Sequence, residues 1–296
     1  VTINLTIFSE ICKSSQKKPR NFPLDTSAKT SENEDNTSKG GLLMDRWMER
    51  FQLPMLAGEI LLINGAEIFR VEQTIERMAK ALGAQRVDVL AVLSGIQASF
   101  SMNQQVYTYI RRVKMRRTGL RLIAQVNHIS REFCNNNLSY DDALFQLNEL
   151  LVAPPHSFPL RKALASACGA FAFSLLFQLR MPIPLFFATM NGFFASLMVD
   201  LLNKWKIPEY LSTFLTSFIL AMATLLYPSL AQTAVDRVLL AALFLLLPGV
   251  PLTTSIRELT NGDLISGTAR LSEAMISLIT IAAGVYTAFT ILHGRL

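Results

Sequence analysis

The stretch Leu245-Leu246-Leu247-Pro248-Gly249-Val250-Pro251-Leu252-Thr253-Thr254-Ser255-Ile256-Arg257-Glu258 decides the fold. An apolar run meets two prolines that bracket a glycine, and the chain then turns polar. Proline removes a backbone donor and clashes with the preceding turn, so a helix entering at Leu245 breaks here. Lipid cannot replace the lost hydrogen bonds, so the broken backbone has to face protein or a watery cavity. A new helix beginning near Thr253 would turn its positive end toward an anion, with Arg257 as a fixed charge. The plainer reading is that Pro248-Gly249 ends a span and Arg257 anchors it at the interface.

Working outward, the break lies in one of five apolar stretches: Ala163 to Leu179, Ile183 to Leu202, Tyr210 to Leu230, Val238 to Leu252 and Ser272 to Leu292. A span takes about 20 residues, so the first and fourth must include flanking residues or be broken. Ala163, Ala165, Ala167, Gly169, Ala170 and Ala172 in the first would let a neighbouring helix approach closely. Five crossings put the two ends of this region on opposite sides. Arg161, Lys162, Lys204, Lys206, Arg257 and Arg270 fall on one side, against Arg180, Arg237 and Arg295 on the other. Basic residues accumulate in the cytoplasm, which places the N-terminal domain inside and the C-terminus outside, in the periplasm.

Within the spans Asn191 needs a partner, because an amide at mid-membrane is costly alone. Thr213, Ser217, Thr280 and Tyr286 are the other polar residues there. Asp200, near an inner helix end, reads equally as a proton-coupled carboxylate or an interfacial ion pair, and Glu273 is expected to begin the last helix, where its charge suits the dipole.

Ahead of the spans, Met44 to about Val152 mixes charged and apolar residues as soluble domains do. Helical spacing runs from Phe51 to Leu82 and is divided at Asn64-Gly65, with the second helix starting at Ala66, Glu67 in its first turn, and Gly83 ending it. Alternation of β-branched and aromatic residues from Val87 to Val113 predicts three short strands. Gly119 to Asn135 is helical again, and Ser139 caps a last helix led by Asp141 and Asp142. The fold class is therefore an α-helical polytopic membrane protein of about five transmembrane helices with an N-terminal cytoplasmic α+β domain. Its expected divisions are 1–43, 44–158 and 159–296, with the second boundary at Pro154-Pro155-His156.

Ser9 to Gly41 is too polar to bury a core and is expected to be disordered. Val1 to Phe8 is too short for a signal-peptide core, and the functional chain is expected to start near Met44.

With 296 residues, 51% of them apolar, a mean hydropathy of +0.33 and a net charge of +6, the chain is basic, but its basic residues form no stripe with interleaved aromatics. Nucleic acid is not expected as a partner on that ground. Arg111, Arg112, Lys114, Arg116 and Arg117 crowd one strand end, as a solvated turn or a lipid-headgroup surface. Cys12, Cys134 and Cys168 form no disulfide framework, and the scattered His128, His156 and His293 form no metal site. No cofactor, metal or catalytic residue is expected, since nucleotide, zinc-protease and nucleophile-elbow motifs are all missing. Without a nucleotide site the energy source is a gradient or a partner.

Two runs carry a resemblance. Ala57-Gly58-Glu59-Ile60-Leu61-Leu62-Ile63-Asn64-Gly65-Ala66-Glu67-Ile68-Phe69-Arg70-Val71-Glu72 is similar to the opening signature of the bacterial threonine/serine exporter family. Pro248-Gly249, Arg257-Glu258-Leu259, Gly262-Asp263, Ser266-Gly267, Arg270 and Glu273-Ala274 resemble its closing one. The resemblance implies an inner-membrane efflux carrier driven by the proton gradient, exporting threonine and serine or succinate-like dicarboxylates. It carries functional weight onto Glu59, Glu67, Arg70 and Glu72 in the first motif, and onto Pro248, Gly249, Arg257, Gly262, Asp263, Gly267 and Arg270 in the second. The family usually has Asp where this chain has Glu258.

Fused exporters continue into further helices, so the resemblance implies the large subunit of a split exporter, partnered by the bilayer, a small multi-span membrane subunit and a small carboxylate. Homo-oligomers are allowed. The competing reading is a membrane-anchored sensor or scaffold whose cytoplasmic domain binds a ligand. Helix-surface ion pairs alone would also account for Glu59, Glu67, Arg70 and Glu72.

Overall fold

Apolar residues at helical spacing between Phe51 and Ile63 produce a helix that is buried on nearly every side. The computed structural model, which describes residues 35–114, 117–152, 158–179, 181–226 and 235–293, runs this helix, α1, over Asp35–Ile63 with Pro54 inside it. The helix thus includes Asp35 to Gly41, which composition assigned to a disordered tail, and passes through Met44 without a break. A polar composition forbids a core of its own, but extending an existing helix adds one hydrogen bond per residue and needs no new nucleus. Residues 1–34 lie outside the described residues, as do the Pro154-Pro155-His156 boundary, Arg116, Arg180 and Arg295.

After the Asn64-Gly65 turn comes α2, Ile68–Ala81. It starts two residues later than its periodicity suggests, because the Ala66 amide still bonds back to Leu61 O at 3.0 Å and Glu67 is the residue that precedes the first turn. Three strands follow, β1 (Arg86–Val92), β2 (Gly95–Met102) and β3 (Gln105–Arg112), in an antiparallel sheet of order β1-β2-β3. In this register Phe100 pairs with Val87 and Tyr107, and Ala98 with Val89 and Tyr109. One face therefore gathers Ile96, Ala98, Phe100 and Tyr107, all buried. Phe51 of α1 stacks on Phe100 with ring centroids 4.5 Å apart. The hydroxyls of Tyr109 and Tyr140 donate to the carbonyls of Met48 and Glu49, so the described start of the α1 packing surface is tied to β3 and to the helix beginning at Tyr140.

The helices α3 (Leu120–Cys134) and α4 (Tyr140–Val152) complete this part, with the Asp142 amide capped by Ser139 Oγ at 3.2 Å. The predicted strands, both helices and the cap are present.

The apolar region folds as α5 (Pro159–Leu176), α6 (Pro182–Lys204), α7 (Glu209–Leu225), α8 (Val235–Leu243) with a 3₁₀ turn at Phe244–Leu246, α9 (Gly249–Thr260) and α10 (Leu264–His293). By length and composition two of these, α6 and α10, are candidate membrane spans, and a third exists if α8 and α9, bent by 61° at their break, count as one. This is fewer than the five apolar stretches. The first-turn Arg161 and Lys162 lower the hydropathy of α5, and α7 has 17 residues, about 25 Å of helix. Part of the third apolar stretch, 227–230, falls outside the described residues.

Small residues set the packing of α5 on α6. Ala163, Ala167, Ala170 and Ser174 are its buried positions, at helical spacing. A Cβ on Gly192 would lie 2.4 Å from the Ala170 Cβ and 3.0 Å from Ser166 O, so only glycine admits this approach.

Candidate functional site

The Asn64-Gly65 turn leaves α2 with a first amide that no nearby side chain caps, since Glu67 precedes the helix without a side-chain hydrogen bond to it. The partner comes from 190 residues away. Glu258 Oε1, in the last turns of α9, accepts the Ile68 amide at 3.2 Å. Arg270 of α10 holds the same oxygen, with Nε at 3.0 Å, and donates through Nη2 to Ala66 O at 2.7 Å. Both side chains are withdrawn from solvent, Glu258 being 1% and Arg270 8% exposed. Beside them Arg257 forms a short ion pair with Glu67, which also lies 3.8 Å from Arg70. The two motifs thus meet in one cluster. Within it Glu258 Oε2 is buried and has no hydrogen-bond partner among the described residues.

Local backbone chemistry makes the meeting possible. The end of α9 is reversed at Gly262, whose φ of +94° favours glycine, while the Asp263 amide closes on Glu258 O at 2.9 Å. That closure starts α10 immediately, so Glu258 and Arg270 face each other across a tight helical hairpin. At the other end, α9 begins at Gly249 rather than near Thr253. Pro251 falls in the first turn, where a missing amide hydrogen costs nothing, and the Thr253 hydroxyl donates back to Gly249 O at 3.0 Å. Arg257 therefore lies near the C-terminus of α9, where cations are favoured, and not beside the positive end at Pro248. α9 is a rod of 12 residues, about 18 Å, between the break and the cluster.

The remaining expected residues separate into distinct places. Asn64, 1% exposed, is structural: its amide donates to Ile60 O at 2.7 Å, its Oδ1 accepts Arg117 Nε at 3.0 Å, and its carbonyl accepts the Gly119 amide. Glu59 leaves the cluster for β3, pairing with Arg111 at 3.4 Å, so Arg111 and Arg117 of the basic strand end each have an internal partner. Glu72 accepts the Ala91 amide of β1 at 2.9 Å. Burial pushes its carboxyl above the usual carboxylate range, the Ala91 hydrogen bond opposes this, and the nearby Asp263 charge adds to it. Asp263 follows the α9 turn, its amide on Glu258 O. Glu273 is the tenth residue of α10, because the helix starts at Leu264, and it does not sit at the dipole's positive end.

Asn191 has the partner it requires, donating to Thr224 Oγ1 of α7 at 2.8 Å, and Asp200 pairs with Lys162 of α5 at 3.1 Å. Sequence reasoning did not single out Thr224, nor Ser212 and Thr216, whose buried hydroxyls have no hydrogen-bond partner among the described residues. Their spacing of four along α7, at 212, 216 and, after Leu220, 224, was the available signal. Among the described residues no group of three His, Cys, Asp or Glu is placed to hold a metal ion, and Cys134 and Cys168 are free thiols.

A helical membrane protein with a broken helix tied to an α+β part belongs with transport proteins more than with soluble enzymes. The family model described as "Putative threonine/serine exporter" matches residues 52–292, and the chain belongs to that family. It is a transport family and not an enzyme family. No curated protein and no solved structure matches the chain.

Removing one partner of the buried pair leaves the other charge stranded. Glu258→Ala is expected to cost about 3–5 kcal/mol, read as a lowered unfolding midpoint in detergent, while Glu258→Leu with Arg270→Met recovers most of the loss. Recovery fails if the pair contributes only through its backbone contacts.

Glu72 has a folded-state pKa above its unfolded value, so the folded state favours the protonated carboxyl. The penalty for ionising it grows as pH rises from about 4.3, through the raised folded value, and is complete above it. Glu72→Gln keeps an acceptor for Ala91, and unfolding midpoints measured from pH 4 to 8, roughly the range the linkage covers, should show it matching the parent at the acid end and exceeding it at the neutral end.

Proposed function

We propose that the chain is a secondary efflux carrier of the bacterial inner membrane, exporting a small carboxylate, either threonine and serine or a succinate-like dicarboxylate, at the expense of the proton gradient. The observation that carries this reading is the buried Glu258–Arg270 pair, joined to the first turn of α2 at one end of α9 while the helix break at Pro248-Gly249 lies at the other. Gly249 is exposed and a Cβ there would meet nothing within 4 Å, so the break is accessible from outside the helix bundle. A carboxylate there meets the positive end of α9.

Glu258 supplies the proton coupling. Its unpartnered Oε2 is a vacant acceptor in a buried carboxylate. Protonation removes the charge that holds Arg270 and the Ile68 amide, and frees α9 to reorient its far end at the substrate. Five membrane crossings, with the α+β part cytoplasmic and the C-terminal end of α10 outside, complete the arrangement. The third crossing is the bent α8–α9 pair's neighbour α7, the first is α5, and both rely on flanking residues to reach across.

Efflux from cells lacking other exporters tests the proposal, using radiolabelled threonine, serine and succinate, with the chain alone and with a small multi-span membrane subunit co-expressed. Wild type lowers the intracellular level of one substrate class, and Glu258→Gln, present in the membrane at equal amount, loses at least about tenfold of the rate together with its dependence on external pH. Efflux of none of the three, or a Glu258→Gln variant with the parental rate and pH profile, rejects the reading.

A further inference from the structure

Away from the helix break, α2 and α3 turn toward each other the residues at helical spacing that their packed faces leave over. On α2 these are Arg70, Thr74 and Arg77, and on α3 they are Asn127, Ser130 and Arg131. Together with Gln73, Cys134 and Asn135 they line a polar groove of about 260 Å³ that three arginines and no carboxylate border. Among the described residues Arg70 meets a carboxylate at Glu67, 3.8 Å away, and no carboxylate ion-pairs with Arg77 or Arg131. Thr74 and Ser130 give their hydroxyl hydrogens to Arg70 O and Asn127 O, so the donors left among the lining residues are the three arginines and the side-chain amides of Gln73, Asn127 and Asn135.

Arg77 and Arg131, which no carboxylate pairs among the described residues, converge with Arg70, which Glu67 meets at 3.8 Å, and the concave wall concentrates their field. We propose that the α2–α3 groove binds a small doubly charged oxyanion. A guanidinium fork matches the paired oxygens of a phosphate or a carboxylate, and three forks with an amide donor match a ligand with more than one such pair. The volume suits inorganic phosphate, a phosphate monoester or a four-carbon dicarboxylate. Arg70 belongs both to this groove and to the first motif, so an occupant engages the guanidinium that otherwise leans on Glu67, the partner of Arg257. The site is independent of the transport reading, because its occupancy is measured directly.

Calorimetric titration of the purified full chain in detergent, at constant ionic strength, tests it with inorganic phosphate and with succinate as the two probes. Saturable binding of either, near one per chain, is expected, and whichever binds tighter assigns the phosphate or the dicarboxylate class. Arg77→Gln with Arg131→Gln weakens that binding by at least about tenfold with an unchanged unfolding midpoint, and Arg131→Gln alone makes the same comparison if the pair perturbs folding. Arg86→Gln, on the sheet edge where it pairs with Asp88, leaves binding as it was. No saturable binding of either anion, a groove variant that binds like the parent, or equal weakening by Arg86→Gln overturns the proposal.

Discussion

A buried carboxylate needs both a counter-charge and hydrogen bonds, and Glu258 takes them from two different parts of the chain. Its charge is met by Arg270 from α10, and its hydrogen bond comes from the Ile68 amide at the start of α2. Neither partner alone would offset the desolvation of the ion. The Arg270 guanidinium then reaches Ala66 O, so the turn after Asn64-Gly65 is clasped on both its donor and its acceptor side. Each helix end is thereby completed by the other: α2 gains the cap that its own sequence lacks, and α9 gains a fixed terminus.

The mechanical consequence concerns α9. Pro248 and Gly249 detach it from α8 at an angle of 61°, and the Gly262 turn folds it back on α10. Among the described residues it is thus attached through the hairpin with α10 and the cluster at α2. A short helix held at one end and broken at the other is the arrangement on which the proposed coupling of Glu258 to the break rests. The exposed Arg257–Glu67 pair contributes little energy by comparison, being screened by solvent, and its value is in orientation.

Local signals in the sequence resolved the elements well. Period-two alternation located all three strands, Ser139 announced its helix, and Pro248-Gly249 announced the break, because each depends on chemistry within a few residues. Helix limits were less legible where tertiary packing decides them: α1 continues upstream through polar residues, and α10 begins eight residues before the apolar stretch at Ser272. The resemblance marked both motifs, but spacing within each could not say that they touch. Glu59 shares the first motif with Glu67 but belongs to Arg111, whereas Glu258 and Arg270, 190 and more residues downstream, are the neighbours of the turn. Contacts of that separation leave no periodic trace. Ser212 and Thr216 were missed for a related reason, since hydroxyls in apolar helices often satisfy themselves on their own backbone, as Thr213 does on Glu209 O.

The central claim is that the two motifs form one cluster in the working protein. Cysteines replacing Glu67 and Arg257, in a chain whose Cys12, Cys134 and Cys168 are changed to serine, test it directly with a short reducible bifunctional thiol reagent in native membranes. The account predicts an intramolecular cross-link that halts efflux until it is reduced. Absence of a cross-link within one chain, with both cysteines still reactive toward a monofunctional reagent, would contradict it.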